Sequence, residues 1–191
     1  MIERTVRLFI AINFPAEMRE RLWEACASLR ATRRPVRWVR ADLLHLTVKF
    51  LGEIDEGRNP DIEAHLREAV EGTRAFQLQV REFGAFPTAK HPRVLWVGCE
   101  ELPVLELLYD SVERGMSALE FAMEGRPFRP HVTIGRVARG ARKSDFKGLH
   151  RDLGALDFFE EASITSVDVM QSVLSGDGPR YARLVAVGLG R

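Results

Sequence analysis

Two histidines in this chain each stand two positions before a threonine: His45 precedes Thr47, and His131 precedes Thr133. On a β-strand, residues i and i+2 point to the same face. Each motif would therefore present an imidazole beside a hydroxyl, while the apolar residues between them enter the core. An imidazole has an ordinary pKa of about 6.5, so it can accept or donate a proton at neutral pH. The paired motifs indicate general acid–base catalysis by two histidines.

A reaction that suits these groups is the opening of a 2′,3′-cyclic phosphate. Water attacks phosphorus while the opposite ester oxygen departs, so one group must accept a proton and another must supply one. The phosphoryl oxygens gain charge during attack and need hydrogen-bond donors. Thr47 and Thr133 can each donate an O–H, and Arg136 can donate a charged fork. We predict a catalytic pair, His45 and His131, with these three residues as phosphate contacts.

A zinc site is the main chemical alternative for paired histidines. Zinc motifs on strands favour a second histidine two positions away, or a nearby Cys, Asp or Glu at ligand spacing. Only Asp42 lies close, and it stands an odd number of positions from His45. We therefore expect no metal and no cofactor. A purely structural role for both histidines, and a solvated position for Arg136, also stay open.

A nucleobase beside the cyclic phosphate could stack on an aromatic side chain. Phe50 follows the first motif and is our candidate for this contact. Most aromatic residues in a chain of this size belong to the core, so the identity of the stacking residue stays open. The further candidates are Trp38, Phe86, Trp96, Phe128 and Tyr181.

Positive charge is concentrated next to the two motifs, although the net charge is only +1. Residues 30–40 contain five arginines and no acidic residue, and residues 126–143 contain five arginines, one lysine and no acidic residue. Solvated charge runs are common, but these two flank the histidine motifs. Their positive potential favours an anionic substrate.

The order strand, helix, strand recurs in the two halves of the chain. The first half predicts a strand over 6–12, a helix over 15–31 and strands over 36–39 and 44–51; the second predicts a strand over 94–97, a helix over 103–119 and a strand over 131–137. The two histidines are 86 positions apart, close to half of the 191 residues. We predict an α+β fold from an internal duplication. Antiparallel sheets would line a central cleft with helices outside, and residues 1–191 would form one two-lobed domain.

The bulk composition is that of an ordinary globular protein, with 46% hydrophobic and 29% charged residues. No apolar stretch approaches the roughly 20 residues that span a bilayer, and we expect neither a membrane segment nor a signal peptide. Cys26 and Cys99 lie far apart and form no paired motif. We expect a monomer in the reducing cytoplasm, with both thiols as small buried hydrophobes.

The sequences LHLTVKFLGE (44–53) and FRPHVTIGR (128–136) resemble the paired signatures of the two-histidine phosphoesterase superfamily. Within it, the chain is similar to RNA 2′,3′-cyclic phosphodiesterases, also called 2′-5′ RNA ligases. The likeness extends along nearly the whole chain. The supporting segments are 7–12, 83–87, 92–96, 172–174 and Tyr181.

The resemblance implies a two-lobed fold and metal-free hydrolysis of RNA 2′,3′-cyclic phosphate ends to 2′-phosphates. It implies that His45 donates a proton to the departing 3′-oxygen and that His131 accepts one from water, roles that the residues alone do not separate. It implies the same phosphate contacts, and a reverse ATP-independent 2′-5′ ligation with the roles exchanged. RNA ends, including tRNA fragments, would be the partners. A phosphodiesterase for small cyclic nucleotides and a non-catalytic RNA-binding module remain alternatives.

Overall fold

A computed structural model of the chain describes residues 4–176 and 178–190. The strands are β1 (Thr5–Asn13), β2 (Val36–Trp38), β3 (His45–Asp55), β4 (Phe76–Thr88), β5 (His91–Cys99), β6 (His131–Val137), β7 (Phe159–Ile164), β8 (Ser166–Ser175) and β9 (Gly178–Gly188). The helices are α1 (Ala16–Ala25), α2 (Ala27–Ala31), α3 (Asn59–Val70), α4 (Pro103–Ala118) and α5 (Leu149–Gly154). Short 3₁₀ turns occupy Ala41–Leu43, Glu56–Arg58 and Lys143–Phe146.

The strands form one continuous sheet in the order β7-β4-β5-β6-β3-β1-β8-β9, with β2 paired to β6. The pairings between these strands are antiparallel. Strands β3, β1, β8 and β9 make one lobe, and β6, β5, β4 and β7 make the other. The lobes join where β3 meets β6, through the pair Leu46 and Val132. The predicted α+β class is confirmed, and the two predicted sheets are halves of one.

The helices pack on the lobes in two groups. In the first group, helices α3 and α4 contact each other, with α3 also against β9 and α4 also against β3. In the second, α5 contacts β4. Helix α4 begins with Pro103 in its first turn, a position that needs no backbone N–H. Its apolar residues recur at helical spacing and are buried: Leu105, Leu108, Val112 and Met116.

The helix predicted over 15–31 is divided at Cys26, where φ is −86° and ψ is 5°. The Arg30 guanidinium lies 3.7 Å from the centre of the Trp23 ring and donates a hydrogen bond to the Trp23 carbonyl. In an uninterrupted helix that carbonyl would accept from the N–H of Ala27. The arginine therefore supplies a donor at the break.

Neither strand β7 nor helix α5 was predicted from the sequence.

The alternation predicted for the two motif strands is present. Leu46 and Val132 are fully buried, and Val48 and Ile134 are nearly so. The histidine and the threonine of each motif, which alternate with these apolar residues, are only half-buried. One hydrophobic cluster contains these residues together with core residues of both lobes. Burying each such aliphatic side chain contributes about 1.5–3 kcal/mol.

A buried ion pair fastens an extended loop to this core. The Nζ of Lys49, on β3, lies 2.8 Å from the Oε1 of Glu113, on α4, and both side chains are only 4% exposed. The ammonium also donates to the carbonyl of Ala122 at 2.9 Å, and the other carboxylate oxygen accepts from the N–H of Glu124 at 2.9 Å. The pair thus holds residues 122–124 against β3 and α4.

None of the helices in the described part of the chain combines the length and apolar character that a bilayer crossing requires.

We predict that Glu113→Ala destabilises the protein by about 3–5 kcal/mol, because the Lys49 ammonium would stay buried without its partner. Urea denaturation measures this loss. Glu106→Ala, at an exposed position of the same helix, is the control and should change the free energy of unfolding by less than about 0.5 kcal/mol. Equal stability of the two variants would contradict the role of the pair.

Candidate active site

The register between β3 and β6 brings the two histidine motifs together. Leu46 stands opposite Val132 in an antiparallel pair. One position along, His45 therefore stands across from Thr133, and Thr47 across from His131. Side chains directly opposite each other on one sheet face have Cβ atoms about 4.5–5.5 Å apart. The four polar groups thus lie on the same face at the junction of the lobes.

Both imidazoles are held by the same local hydrogen bond. The Nδ1 of His45 lies 2.7 Å from the carbonyl oxygen of Leu43, and the Nδ1 of His131 lies 2.7 Å from that of Arg129. A carbonyl only accepts hydrogen bonds, so Nδ1 carries the proton in each neutral ring. Nε2 is then left for proton transfer. In His45 it lies 3.0 Å from the Oγ1 of Thr47.

Aromatic rings pack around each imidazole. Phe9 and Tyr181 lie 4.9 and 5.4 Å from His45 between ring centres. Phe86 and Trp96 lie 5.0 and 6.5 Å from His131. These contacts restrict the orientation of both imidazoles.

Trp96, beside His131, lies directly on Gly84 of the neighbouring strand. A Cβ at Gly84 would come within 2.2 Å of the Trp96 ring. Only glycine therefore leaves room for the indole at this position of β4.

The pKa of both histidines is lowered from the ordinary value. Burial is the main cause for His45 and for His131, and the positive charge of Arg136 adds to it in both cases. Arg19 and His131 lower the pKa of His45 further. The backbone carbonyls that bind Nδ1 act in the opposite direction. Arg136 is thus within electrostatic reach of both imidazoles, which favours their neutral forms.

A cleft of about 860 Å³ opens beside these groups. Thr47, Phe50, His131, Thr133 and Arg136 line it. His45 does not itself line the cleft, but its Nε2 lies 3.0 Å from the Oγ1 of Thr47, which does. All six predicted site residues are therefore in one region.

Phe50 presents an exposed aromatic face in this cleft, because 63% of its surface is accessible. Phe86 and Phe128 also line the cleft. The remaining candidates do not line the cleft: Trp38 packs near Gly135, Trp96 lies on Gly84, and Tyr181 contacts His45.

The structure adds functional candidates that the motifs did not indicate. Arg93, Arg126 and Arg129 line the cleft and extend its positive charge. Two of them belong to the basic run 126–143, which was a usable signal. Nothing in the sequence singled out Arg93, which reaches the cleft because β5 pairs with β6. Phe9 and Tyr181, the neighbours of His45, come from β1 and β9.

Within residues 4–176 and 178–190, no group of three or more His, Cys, Asp or Glu side chains could hold a metal ion. Asp42, the residue considered for zinc, instead forms an ion pair with Arg40. The zinc alternative therefore lacks a ligand set in the described part of the chain.

A two-lobed antiparallel sheet with one His-x-Thr motif on each central strand defines a phosphoesterase of the two-histidine type. Residues 12–96 and 97–181 each match the LigT-like phosphoesterase family, and the chain belongs to that family. The two matches begin 85 residues apart, nearly the spacing of the two histidines. They support the predicted internal duplication.

Similar proteins include an RNA 2′,3′-cyclic phosphodiesterase of Thermotoga maritima, 34% identical over 92% of this chain and 91% of the relative. Another enzyme of that name, from Methanothermobacter thermautotrophicus, is 31% identical over 92% of this chain and 95% of its own. Among solved structures, E. coli LigT complexed with 3′-AMP superposes with a TM-score of 0.78 at 25% identity, covering 98% of this chain and 100% of the other.

We predict that NMR titration finds the pKa of both His45 and His131 below about 6.5. Removing the Arg136 charge with Arg136→Gln should raise both values, since a positive neighbour disfavours the imidazolium. Arg139→Gln, at an exposed position of the same basic run, is the matched control and should leave both pKa values nearly unchanged. Unshifted histidines in Arg136→Gln would contradict the placement of that charge.

Proposed function

We propose that this chain hydrolyses 2′,3′-cyclic phosphate ends of RNA to 2′-phosphates, by acid–base catalysis with two histidines and no metal. The observation that carries the proposal is the matched state of the two imidazoles. Each donates from Nδ1 to a backbone carbonyl and keeps Nε2 available, and both lie within reach of Arg136. The names of the related enzymes support the cyclic phosphate and the RNA as substrate.

In the proposed reaction, the Nε2 of His131 accepts a proton from water as the water oxygen bonds to phosphorus. The bond from phosphorus to the 3′-oxygen breaks, and that oxygen takes the proton from the Nε2 of a protonated His45. The products are a 2′-phosphate and a free 3′-hydroxyl. The hydrogen bonds at Nδ1 are the same for both histidines and do not distinguish the acid from the base. The assignment of the two roles therefore rests on the resemblance to the family.

Charge that develops on the phosphoryl oxygens would be stabilised by Arg136 and by the hydroxyls of Thr47 and Thr133. The desolvated site strengthens each of these interactions relative to water. Phe50 would stack on the terminal base, supported by its exposure on the cleft wall. No step of this scheme uses a metal or another cofactor.

The same groups would also catalyse the reverse type of reaction, the ATP-independent 2′-5′ joining of RNA ends. In that direction His45 would act as the base and His131 as the acid. We include this reverse reaction in the proposal, and tRNA fragments among the RNA partners. We also propose that residues 1–191 act as a monomeric single domain, supported by the continuous sheet and the cluster shared by both lobes.

A cytoplasmic location completes the proposal. Its support is the state of the two cysteines, which are free and buried. Burial raises the pKa of the Cys26 thiol to about 12, so this group stays protonated and unreactive at neutral pH.

We expect the purified protein, in excess EDTA, to convert an RNA with a 2′,3′-cyclic end to its 2′-phosphate. His45→Ala and His131→Ala should each reduce the rate by about 10²–10⁴-fold, the usual contribution of a general acid or base. His65→Ala, at a half-buried position of α3 that does not line the cleft, is the control and should retain the parental rate.

Several outcomes would exclude the proposal. Loss of activity in EDTA would refute the metal-free scheme, and near-normal rates in both histidine variants would refute the catalytic pair. Turnover of a mononucleotide but not of RNA would favour the small-nucleotide phosphodiesterase. RNA binding without turnover of any cyclic phosphate would favour the non-catalytic module.

The pH dependence of kcat/KM follows from the lowered pKa values of the free protein. The active form needs one neutral and one protonated imidazole, so activity should peak between two pKa values that both lie below about 6.5. We predict a bell-shaped profile that declines as the pH rises above this range, because the acid loses its proton. Initial rates over a pH series measure it, and a maximum above about 7 would contradict the prediction.

A further inference from the structure

A second cavity, of about 570 Å³, lies outside the cleft of the two histidines. It forms where the tip of the β4–β5 hairpin meets residues 143–150. Phe146 and Leu149 line it as buried apolar residues. Lys90, Lys143 and Lys147 line it from exposed positions. The cavity therefore combines an apolar floor with a cationic rim.

The positive charge of this rim is not balanced by an acidic residue in the described lining of the cavity. No described acidic side chain lines the cavity, and the three ammonium groups enter no hydrogen bond or ion pair in that part of the chain. The carboxylates of the two nearest acids in sequence bind other partners than these lysines. Asp145 accepts from the N–H of Arg142 at 2.7 Å, and Asp152 is bound by Arg34. Three lysines with one nearby carboxylate, that of Asp145, leave this region with a net positive charge, which favours an anionic ligand.

The cavity and the catalytic cleft lie along the same β4–β5 hairpin. Pro87 and Arg93 line the cleft, whereas Ala89 and Lys90, which lie between them in sequence, line the second cavity. Val94 stands opposite Arg136 in the sheet. Lys90, in the turn of the hairpin, lies four positions before Val94, a distance of roughly 13 Å at about 3.3 Å per residue of extended chain.

We propose that this cavity is a second RNA subsite, which binds backbone phosphates upstream of the cyclic end. The proposal rests on the proposed function, which places the cyclic phosphate at Arg136. An RNA strand that extends from Arg136 along the β4–β5 hairpin would reach the rim formed by Lys90, Lys143 and Lys147. Lysine ammonium groups are point charges that bind phosphodiesters without reading bases, so this subsite recognises RNA length rather than sequence.

The test compares a mononucleoside 2′,3′-cyclic phosphate with a longer RNA carrying the same end. The variant Lys90→Gln/Lys143→Gln/Lys147→Gln should keep the parental kcat/KM on the mononucleotide and lose about tenfold or more on the RNA at low salt. In fluorescence anisotropy, the slope of log Kd against log salt for that RNA should fall by about two, at roughly 0.7 per lost phosphate contact. The matched control is Arg67→Gln/Arg74→Gln/Arg114→Gln, which removes the same charge at other exposed positions.

Three results would overturn the subsite: parental activity of the lysine variant on the RNA, an equal loss on the mononucleotide, or an equal loss in the arginine control. If the parent hydrolyses no cyclic phosphate, the proposed function fails, and anisotropy with the RNA then decides the subsite by itself. A reduced salt slope only in the lysine variant supports it, and an unchanged slope refutes it.

Discussion

The pairing of Leu46 with Val132 is the contact on which the site depends. Both side chains are fully buried where the two lobes join. Their burial fixes the register, because a slip by one residue would turn every side chain of the strand to the opposite face. The same register puts the imidazoles and hydroxyls of both motifs on one polar face. The hydrophobic core and the catalytic geometry are therefore set by the same two strands.

Burial that stabilises this junction also shapes its electrostatics. It lowers the pKa of both histidines, and Arg136 adds to the effect. An anionic phosphate bound beside Arg136 would act in the opposite direction and favour the imidazolium that must serve as acid. Substrate binding and the creation of the active protonation state are thus coupled. On the wall of the same cleft, the Lys49–Glu113 pair holds the loop in place, where the local dielectric makes loss of either partner costly.

Local patterns predicted the parts of the structure that depend on nearest neighbours in sequence. The alternation around His45 and His131 gave both central strands, and helical spacing gave α4 almost to its ends. The single helix predicted over 15–31 was wrong at Cys26, where Arg30 caps the Trp23 carbonyl. Strand β7 was missed because its residues pair with β4, a distant partner that no local pattern reveals.

The sequence by itself determined the chemical identity of the site: two imidazoles and two hydroxyls, on strands whose period of two exposes them together. Arg136 stands an odd number of positions from His131, and its place in the cleft depends on the register shift in β6 between Thr133 and Gly135. Tertiary structure alone decided how these groups are surrounded. Arg93 reaches the cleft, and Phe9 and Tyr181 reach His45, through pairing between distant strands. Side-chain direction along a strand is a local property, which a motif of three residues can encode. Burial, pKa and cavity shape are sums over neighbours from the whole chain, so they exist only once the lobes have joined.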